Sequence, residues 1–239
     1  MRKKVMRVYR TKYHLLGTIL VIVVPFLFLL YFSRVSNIDT GVLFENLVLS
    51  VGRIIVAYII SAVLAWVLAV FFYRGKRADY ALPVFDILQS FPTSATLPLA
   101  ALIWGKTNST VIFFLVLTMI WPILFSLISA LKLVKHEWEE SVEIGGITGW
   151  RYIKSFLIPV SFPALVTGSI IGIGEGWEAL VATEIIIGIQ SGLGHFFEQF
   201  ATNTTLTALG VLGFLLLIFS VNKIIWLPLL ERSHKMLEE

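Results

Sequence analysis

The sequence predicts an all-α integral membrane protein with about six transmembrane helices. Of its 239 residues, 57% are hydrophobic and only 14% are charged, and the mean hydropathy is +0.87. A soluble domain of this length cannot bury that much apolar surface in one core. The apolar residues also occur in long runs bounded by charges or turn residues, which is the pattern of bilayer-spanning helices.

Each predicted span is an apolar run long enough to cross the hydrocarbon core. The runs cover about residues 15–32, 47–73, 81–104, 109–131, 160–187 and 206–229. The first run follows the basic tail 1–14, exceeds the usual apolar length of a signal peptide and precedes no A-x-A pattern, so we expect a retained anchor. Asp86, Gln89 and Pro92 interrupt the third run, so it should face protein or a cavity rather than lipid.

The distribution of Lys and Arg predicts the orientation of the chain. Six lie in the tail, three in segment 74–80, four in loop 132–154 and three from Lys223 onward, whereas the opposite side holds only Arg34 and Lys106. The positive-inside rule therefore places both termini and the loop in the cytoplasm. Although the net charge is +4, these residues occupy short loops rather than one continuous face, which argues against nucleic-acid binding.

Several chemistries are excluded or disfavoured by residue type. The chain has no cysteine, so disulfides, thiol nucleophiles and thiolate-bound metals are excluded. His195 and Glu198 have helical metal-ligand spacing, but two ligands are too few to predict a metal site. No G-x-S-x-G or H-E-x-x-H sequence occurs, so we expect no catalytic residues.

The segment AALIWGKT, residues 100–107, ends like a phosphate-binding loop. It lacks the first glycine of that motif, and it follows an apolar span rather than a strand. We therefore expect an extracellular turn and no bound nucleotide, so any ATP hydrolysis must come from another chain.

The polar segment ESVEIGGITGWRYIKSFLIP, residues 140–159, separates two apolar spans. Gly145 and Gly146 can end a helix with positive φ, Thr148 can cap a second short helix, and Pro159 suits the first turn of the next span. We expect two helical pieces joined by a bend, with Trp150, Tyr152 and Phe156 available as anchors. An interfacial loop with its aromatic side chains at headgroup level is the alternative.

This segment resembles the pattern E-A-A-x3-G-x9-I-x-L-P of permease subunits of ABC importers, in the nitrate, taurine and alkanesulfonate branch of the binding-protein-dependent family. Ser141 and Val142 stand in place of the two alanines, and Phe156 and Ile158 stand in place of the Ile and Leu, so these changes stay small or apolar. The positions concerned are Glu140, Ser141, Val142, Gly146, Phe156, Ile158 and Pro159.

Further segments carry the same resemblance, from about residue 46 to the last span. The S-x2-R sequence, the proline-rich third span, the turn after it and the W-x6-E sequence followed by G-L-G are all similar to family patterns. The residues concerned are Ser50, Arg53, Pro92, Pro98, Gly105, Pro122, Trp177, Glu184 and Gly192 to Gly194.

The resemblance implies a type I ABC importer permease fold, with a basic tail 1–14, an anchor 15–32 and a permease core 46–230. It implies that segment 136–159 is a cytoplasmic coupling helix seated in a groove of the ATPase. The implied partners are a cytoplasmic ATPase dimer that binds ATP and Mg²⁺, a second permease copy and an external substrate-binding protein. Nitrate, sulfonates, taurine and pyrimidine-type vitamin precursors are the implied substrate classes.

Charges inside the predicted spans are costly, about 2.5 to 3.5 kcal/mol each on insertion scales, and so indicate function or pairing. We assign Arg53, Trp177, Glu178 and Glu184 to the translocation path, where Arg53 attracts an anion or pairs with a glutamate. Because Glu175, Glu178 and Glu184 would repel a bare anion, an anionic substrate is not assured. Snorkelling or simple pairing is the alternative explanation for each charge.

The glycines of GSIIGIGEG in the fifth span allow either close helix packing or a locally unwound segment. At the level of function, an ion-coupled secondary transporter or channel that uses these carboxylates is the main rival to an importer permease. A non-transporting membrane scaffold is the other rival, and it would not need the bend at Gly146.

Overall fold

A computed structural model describes residues 17, 20, 21, 23–134 and 136–235. Throughout these residues every regular element is helical, which confirms the predicted all-α fold. The predicted basic tail 1–14 lies outside the described residues, as does part of the predicted anchor 15–32.

Eleven helices are described in chain order. They are α1 (Val23–Ser36), α2 (Thr40–Phe72), α3 (Gly75–Gln89), α4 (Thr93–Trp104), α5 (Asn108–Lys132), α6 (His136–Ile144), α7 (Gly149–Tyr152), α8 (Ile158–Ile187), α9 (Leu193–Gln199), α10 (Thr204–Val221) and α11 (Leu227–Lys235). Two π-helical turns, Ile153–Leu157 and Asn222–Trp226, join α7 to α8 and α10 to α11 without a break.

Four helical stretches of the described chain are long and apolar enough to cross a membrane, and α3 with α4 could supply a fifth. The four are Thr40–Phe72, Asn108–Lys132, Gly149–Ile187 and Thr204–Ser233. The described part of the predicted first span is the shorter helix α1, which continues past the predicted end at residue 32 to Ser36. The count of six therefore stays a prediction.

The predicted third span, 81–104, is two helices that meet at an angle of 76°. Helix α3 ends at Gln89, and Pro92 stands at the N-cap of α4 with φ −73° and ψ 77°. Proline has no N–H and disfavours helical geometry in the residue before it, so Pro92 favours an interruption of the helix at this point. The interruption seen in the sequence is thus a sharp bend.

Helix α5 forms the centre of the bundle. It packs between α2 and α8, and its side chains fill the interior along its whole length. Fully buried residues on this helix include Leu115, Met119, Ile123, Leu124 and Leu127. By contrast, Ser220 is the only residue of α10 that is buried in this chain, so α10 lies at the periphery.

Helix α8 lies directly against α5 along a line of glycines. A Cβ atom at Gly168 would lie 2.8 Å from the Cα of Ile123, and one at Gly172 would lie 3.0 Å from the carbonyl oxygen of Met119. Gly174 faces away, and a Cβ atom at that position would meet nothing within 4 Å. Because α8 is a continuous helix here, the close-packing interpretation is confirmed and the unwound one is wrong.

Candidate translocation and coupling sites

A buried ion pair joins α2 to α8. The guanidinium of Arg53 is 4% exposed and pairs with the fully buried carboxylate of Glu184. Ser50 Oγ donates a hydrogen bond of 2.8 Å to that carboxylate, and Arg53 Nε donates one of 2.9 Å to Asn108 Oδ1. Arg53 also donates to the carbonyl oxygen of Ser191 at 3.0 Å and to its hydroxyl at 2.7 Å. Both buried charges are therefore paired and hydrogen-bonded, as burial requires.

The same group of residues holds the start of α9. The backbone N–H of Gly192 donates to Asn46 Oδ1 at 2.6 Å, and that of Leu193 donates to Ser50 Oγ at 2.8 Å. The N–H of Gly194 donates to the carboxylate of the ion pair at 2.8 Å. Side chains from two long helices thus satisfy amides that the first turn of a helix leaves open. We call these residues, together with Arg53 and Glu184, the ion-pair cluster.

Residues from three sequence segments that the resemblance singled out meet in the ion-pair cluster, namely Ser50 with Arg53, Glu184, and Gly192 to Gly194. The pairing of Arg53 with a glutamate, one of two alternatives for this residue, is what the structure shows. Trp177 is buried about two turns before Glu184 and packs edge-on against Phe214, with ring centroids 5.5 Å apart. The assignment of these residues to a translocation path stays a prediction.

A polar groove of about 790 Å³ opens on one side of the bundle between α3, α5 and α8. Asp86 and Glu175 are the charged residues among its described lining, and Glu178 is exposed one turn further along α8. Helix α5 contributes polar side chains although its sequence is mostly apolar. The uncharged polar lining comprises Gln89, Thr93, Thr118, Ser126 and Ser129.

Hydrocarbon cannot solvate such a surface, so in the membrane the groove must face water or protein. Asp86 and Glu175 stand out in the sequence as intramembrane charges, but the predicted path includes neither. The missed signal is the helical spacing of Thr118, Ser126 and Ser129, which places polar residues on one face of an apolar helix.

The polar segment between α5 and α8 folds as two helical pieces with a bend, as predicted. Helix α6 ends at Ile144, Gly146 adopts φ +66°, and the N–H of Ile147 donates to the carbonyl oxygen of Val142 at 3.1 Å. This is the backbone bond of a Schellman helix end, which favours glycine at the left-handed position. Thr148 stands at the N-cap of α7, but its side chain makes no capping hydrogen bond, so that detail of the prediction is wrong.

The apolar side chains of this segment divide between the surface and the core. Ile144 is 88% exposed and Trp150 is 71% exposed. Phe156 is only 9% exposed and packs into the core, with its ring 5.3 Å from that of Tyr152. Phe156 is therefore a core residue rather than an available anchor, since it lies in the π-helical turn and belongs to the same apolar core as residues of α2 and α5.

The remaining predicted residues of the segment lie mostly at the surface. Glu140, Ser141 and Ile158 are exposed, and Val142 is half-buried. Pro159 occupies the first turn of α8, as the sequence predicts.

The histidine and glutamate with metal-ligand spacing, His195 and Glu198, lie in the short helix α9. His195 Nε2 is 3.0 Å from the side-chain nitrogen of Gln199. Within residues 23–134 and 136–235, no group of three potential ligands is close enough to hold a metal ion.

Comparison with known proteins identifies the family. The profile described as binding-protein-dependent transport system inner membrane component matches residues 57–232. The chain belongs to this family. The match extends from the middle of α2 to α11, so it contains the polar groove and the segment around Gly146.

Named members of the family are similar to this chain over most of its length. The nitrate import permease protein NrtB of Synechocystis is 30% identical over 176 residues, which cover 70% of this chain and 63% of that protein. The bicarbonate transport system permease protein CmpB of Synechocystis is 26% identical over 67% of this chain and 58% of its own length. The taurine transport system permease protein TauC of Escherichia coli is 26% identical over 55% and 49%. This chain thus spans less than two thirds of the length of these relatives.

Proposed function

We propose that this chain is the membrane-spanning permease subunit of an ATP-driven importer, without enzymatic activity of its own. In this proposal ATP and Mg²⁺ bind to a separate ATPase dimer in the cytoplasm. A small solute arrives from an external binding protein, and both termini of the chain are cytoplasmic. Family membership supports the proposal, and the relatives named above are permease proteins.

The observation that carries the proposal is the surface of segment 136–159. Ile144 and Trp150 are exposed on either side of a bend that Gly146 stabilises, so two large apolar side chains of this segment lie uncovered. Such side chains suit a groove in a partner protein, where buried aromatic anchors such as Trp contribute much of the binding energy. We propose that the partner is the ATPase and that this segment is the coupling helix.

We further propose that the polar groove is this chain's half of the solute path and that a second copy of the permease closes it. Its charged lining residues are the carboxylates of Asp86 and Glu175. These charges favour a cationic, zwitterionic or neutral solute over a bare anion. A solute with an amino group, taurine-like or of the pyrimidine type, fits this lining better than nitrate or bicarbonate.

The alternative function is an ion-coupled secondary transporter or channel. The exposure of Asp86 and Glu175 in the groove favours it, because intramembrane carboxylates can bind and release coupling ions. This function requires no ATPase, so the two proposals differ in whether an ATPase binds segment 136–159.

The test is purification of the tagged chain from its own host in mild detergent, followed by mass spectrometry of the proteins that copurify. Wild type should retain an ATPase, and Gly146→Val should lose it, because a β-branched residue is strained at φ +66°. Gly52→Val is the matched control, since Gly52 lies in α2 with an ordinary φ and open space around it. An ATPase absent from crosslinked wild-type samples would contradict the permease proposal and favour the ion-coupled alternative.

A further inference from the structure

A second groove, of about 630 Å³, lies where α2 emerges from its apolar span. One wall is the corner between α2 and α3, and the other is the start of the helix that continues into α8. Both walls stand at the end of a membrane-spanning helix, so the groove lies at the level of the lipid headgroups. We call it the basic groove.

The rim of the basic groove carries positive charge. Arg74, Lys76 and Arg77 line it, and none of its described lining residues is acidic. The guanidinium of Arg74 lies 4.9 Å from the centre of the Tyr73 ring, which orients one of these charges. Helix α3 begins at Gly75 with no acidic residue in its first turn, so the positive end of the helix dipole adds to the charge of the rim.

Away from the basic rim, both walls of the groove carry apolar side chains. Val70 and Phe71 from the last turn of α2 face Ile153 and Leu157 of the π-helical turn across the groove. Phe71 is exposed although it is large and apolar. The groove is therefore amphipathic, with a basic rim beyond the end of the span and an apolar wall within it.

We propose that the basic groove binds one anionic phospholipid. The headgroup phosphate lies among Arg74, Lys76 and Arg77, and the acyl chains follow Phe71 toward the bilayer. Charge complementarity and the position of the apolar wall favour a lipid over a soluble anion, which would not use that wall. The bound lipid would touch both the α2–α3 corner and the start of the long helix at Gly149, and so would brace one against the other.

The proposal is tested by native mass spectrometry of the detergent-purified chain titrated with phosphatidylglycerol or phosphatidylcholine. Wild type should retain phosphatidylglycerol preferentially. The double variant Lys76→Gln/Arg77→Gln should bind it about thirtyfold more weakly, because each basic residue near an anionic headgroup contributes about fivefold in affinity. Lys76 and Arg77 are exposed, so the variant should elute as wild type in size-exclusion chromatography.

The matched control is Lys223→Gln/Arg232→Gln, which removes two exposed basic residues from the end of the α10–α11 helix, outside the basic groove. This control should retain wild-type affinity for phosphatidylglycerol. Equal losses in both double variants would indicate unspecific charge attraction and would overturn the proposal. So would equal affinity for the two lipids, or displacement of phosphatidylglycerol by inorganic phosphate at the same concentration, which would indicate a site for a free anion.

Lipid binding is measured on this chain alone, so the result does not depend on the proposed transport function. A chain that binds no ATPase can still bind the lipid, and a permease can lack the lipid site. The two proposals therefore fail independently.

Discussion

Arg53 in α2 and Glu184 in α8 form a buried ion pair although 131 residues separate them in the chain. Their hydrogen bonds extend to the first amides of α9, so one cluster joins three helices. Removal of a single partner would leave the other charge buried without compensation, which is among the costliest single changes in a protein interior.

The first prediction concerns this pair. Arg53→Met should lower the free energy of unfolding by about 3 to 5 kcal/mol, because the carboxylate of Glu184 stays buried and unpaired. The double variant Arg53→Met/Glu184→Leu should recover part of that loss, since no charge remains. Thermal unfolding in detergent measures both. A double variant less stable than Arg53→Met alone would show that Glu184 contributes mainly through its bonds to Ser50 and Gly194.

The second prediction concerns the contact between α5 and α8. Gly168→Ala should destabilise the chain by about 1 to 3 kcal/mol, because the new methyl group would overlap the backbone of Ile123. Gly174→Ala, six residues along the same helix, meets open space and should be neutral or slightly stabilising. Thermal unfolding of the two variants compares the two faces of α8 directly. Similar losses in both would contradict the close packing.

The third prediction concerns the polar groove and uses the absence of native cysteine. Thr118→Cys and Ser129→Cys line the groove and should react with small water-soluble thiol reagents. Leu215→Cys should not react, because it lies on the apolar outer surface of α10, which water does not reach in a membrane. Because Asp86 and Glu175 line the groove, a cationic reagent should react about tenfold faster than an anionic one of similar size. Labelling rates in membrane vesicles provide the measurement.

The electrostatic part of that prediction has its own control. Glu175→Gln should reduce the ratio of cationic to anionic rates at Thr118→Cys toward the value for a free thiol. A ratio that does not change would mean that the groove carboxylates do not select the charge of a solute.

The fourth prediction separates two roles within segment 136–159. Trp150→Ala should weaken ATPase retention at least tenfold and leave thermal stability within about 0.5 kcal/mol, as for an exposed hot-spot residue. Phe156→Ala should instead destabilise the chain by about 3 to 5 kcal/mol, since Phe156 is buried. Tyr80→Ala, another exposed aromatic residue, should change neither quantity. Quantified pulldown and thermal unfolding together distinguish the two roles.

Hydropathy predicted the helices well because each bilayer-spanning run must satisfy its backbone internally and face lipid with apolar atoms. It could not distinguish a straight third span from the bend between α3 and α4, since Pro92 allows a kink as well as a break. The short helix α9 escaped prediction because side chains from distant helices, Asn46 and Ser50, complete its first turn.

Features of the site that depend on local sequence could be predicted, and features that depend on contacts between distant helices could not. The bend at Gly146 depends on local backbone geometry, which a glycine at the end of a helix encodes. The polar groove depends on which faces of α3, α5 and α8 converge. A single sequence shows which face of a helix is polar, but not which other helix lies beside that face. Phe156 is buried within the π-helical turn Ile153–Leu157, and no local sequence pattern predicts such a turn.

The unbroken helix from Gly149 to Ile187 has 39 residues, and a straight α-helix of that length measures about 58 Å. The hydrocarbon core is only about 30 Å thick, so this helix is longer than the core and extends beyond it. Trp150 lies at one tip, and Glu184 lies within one turn of the other. A tilt of about 10° about the centre would swing each tip by about 5 Å in opposite senses. A rigid tilt of this kind would move the far end of the helix without any relay of rearranging side chains.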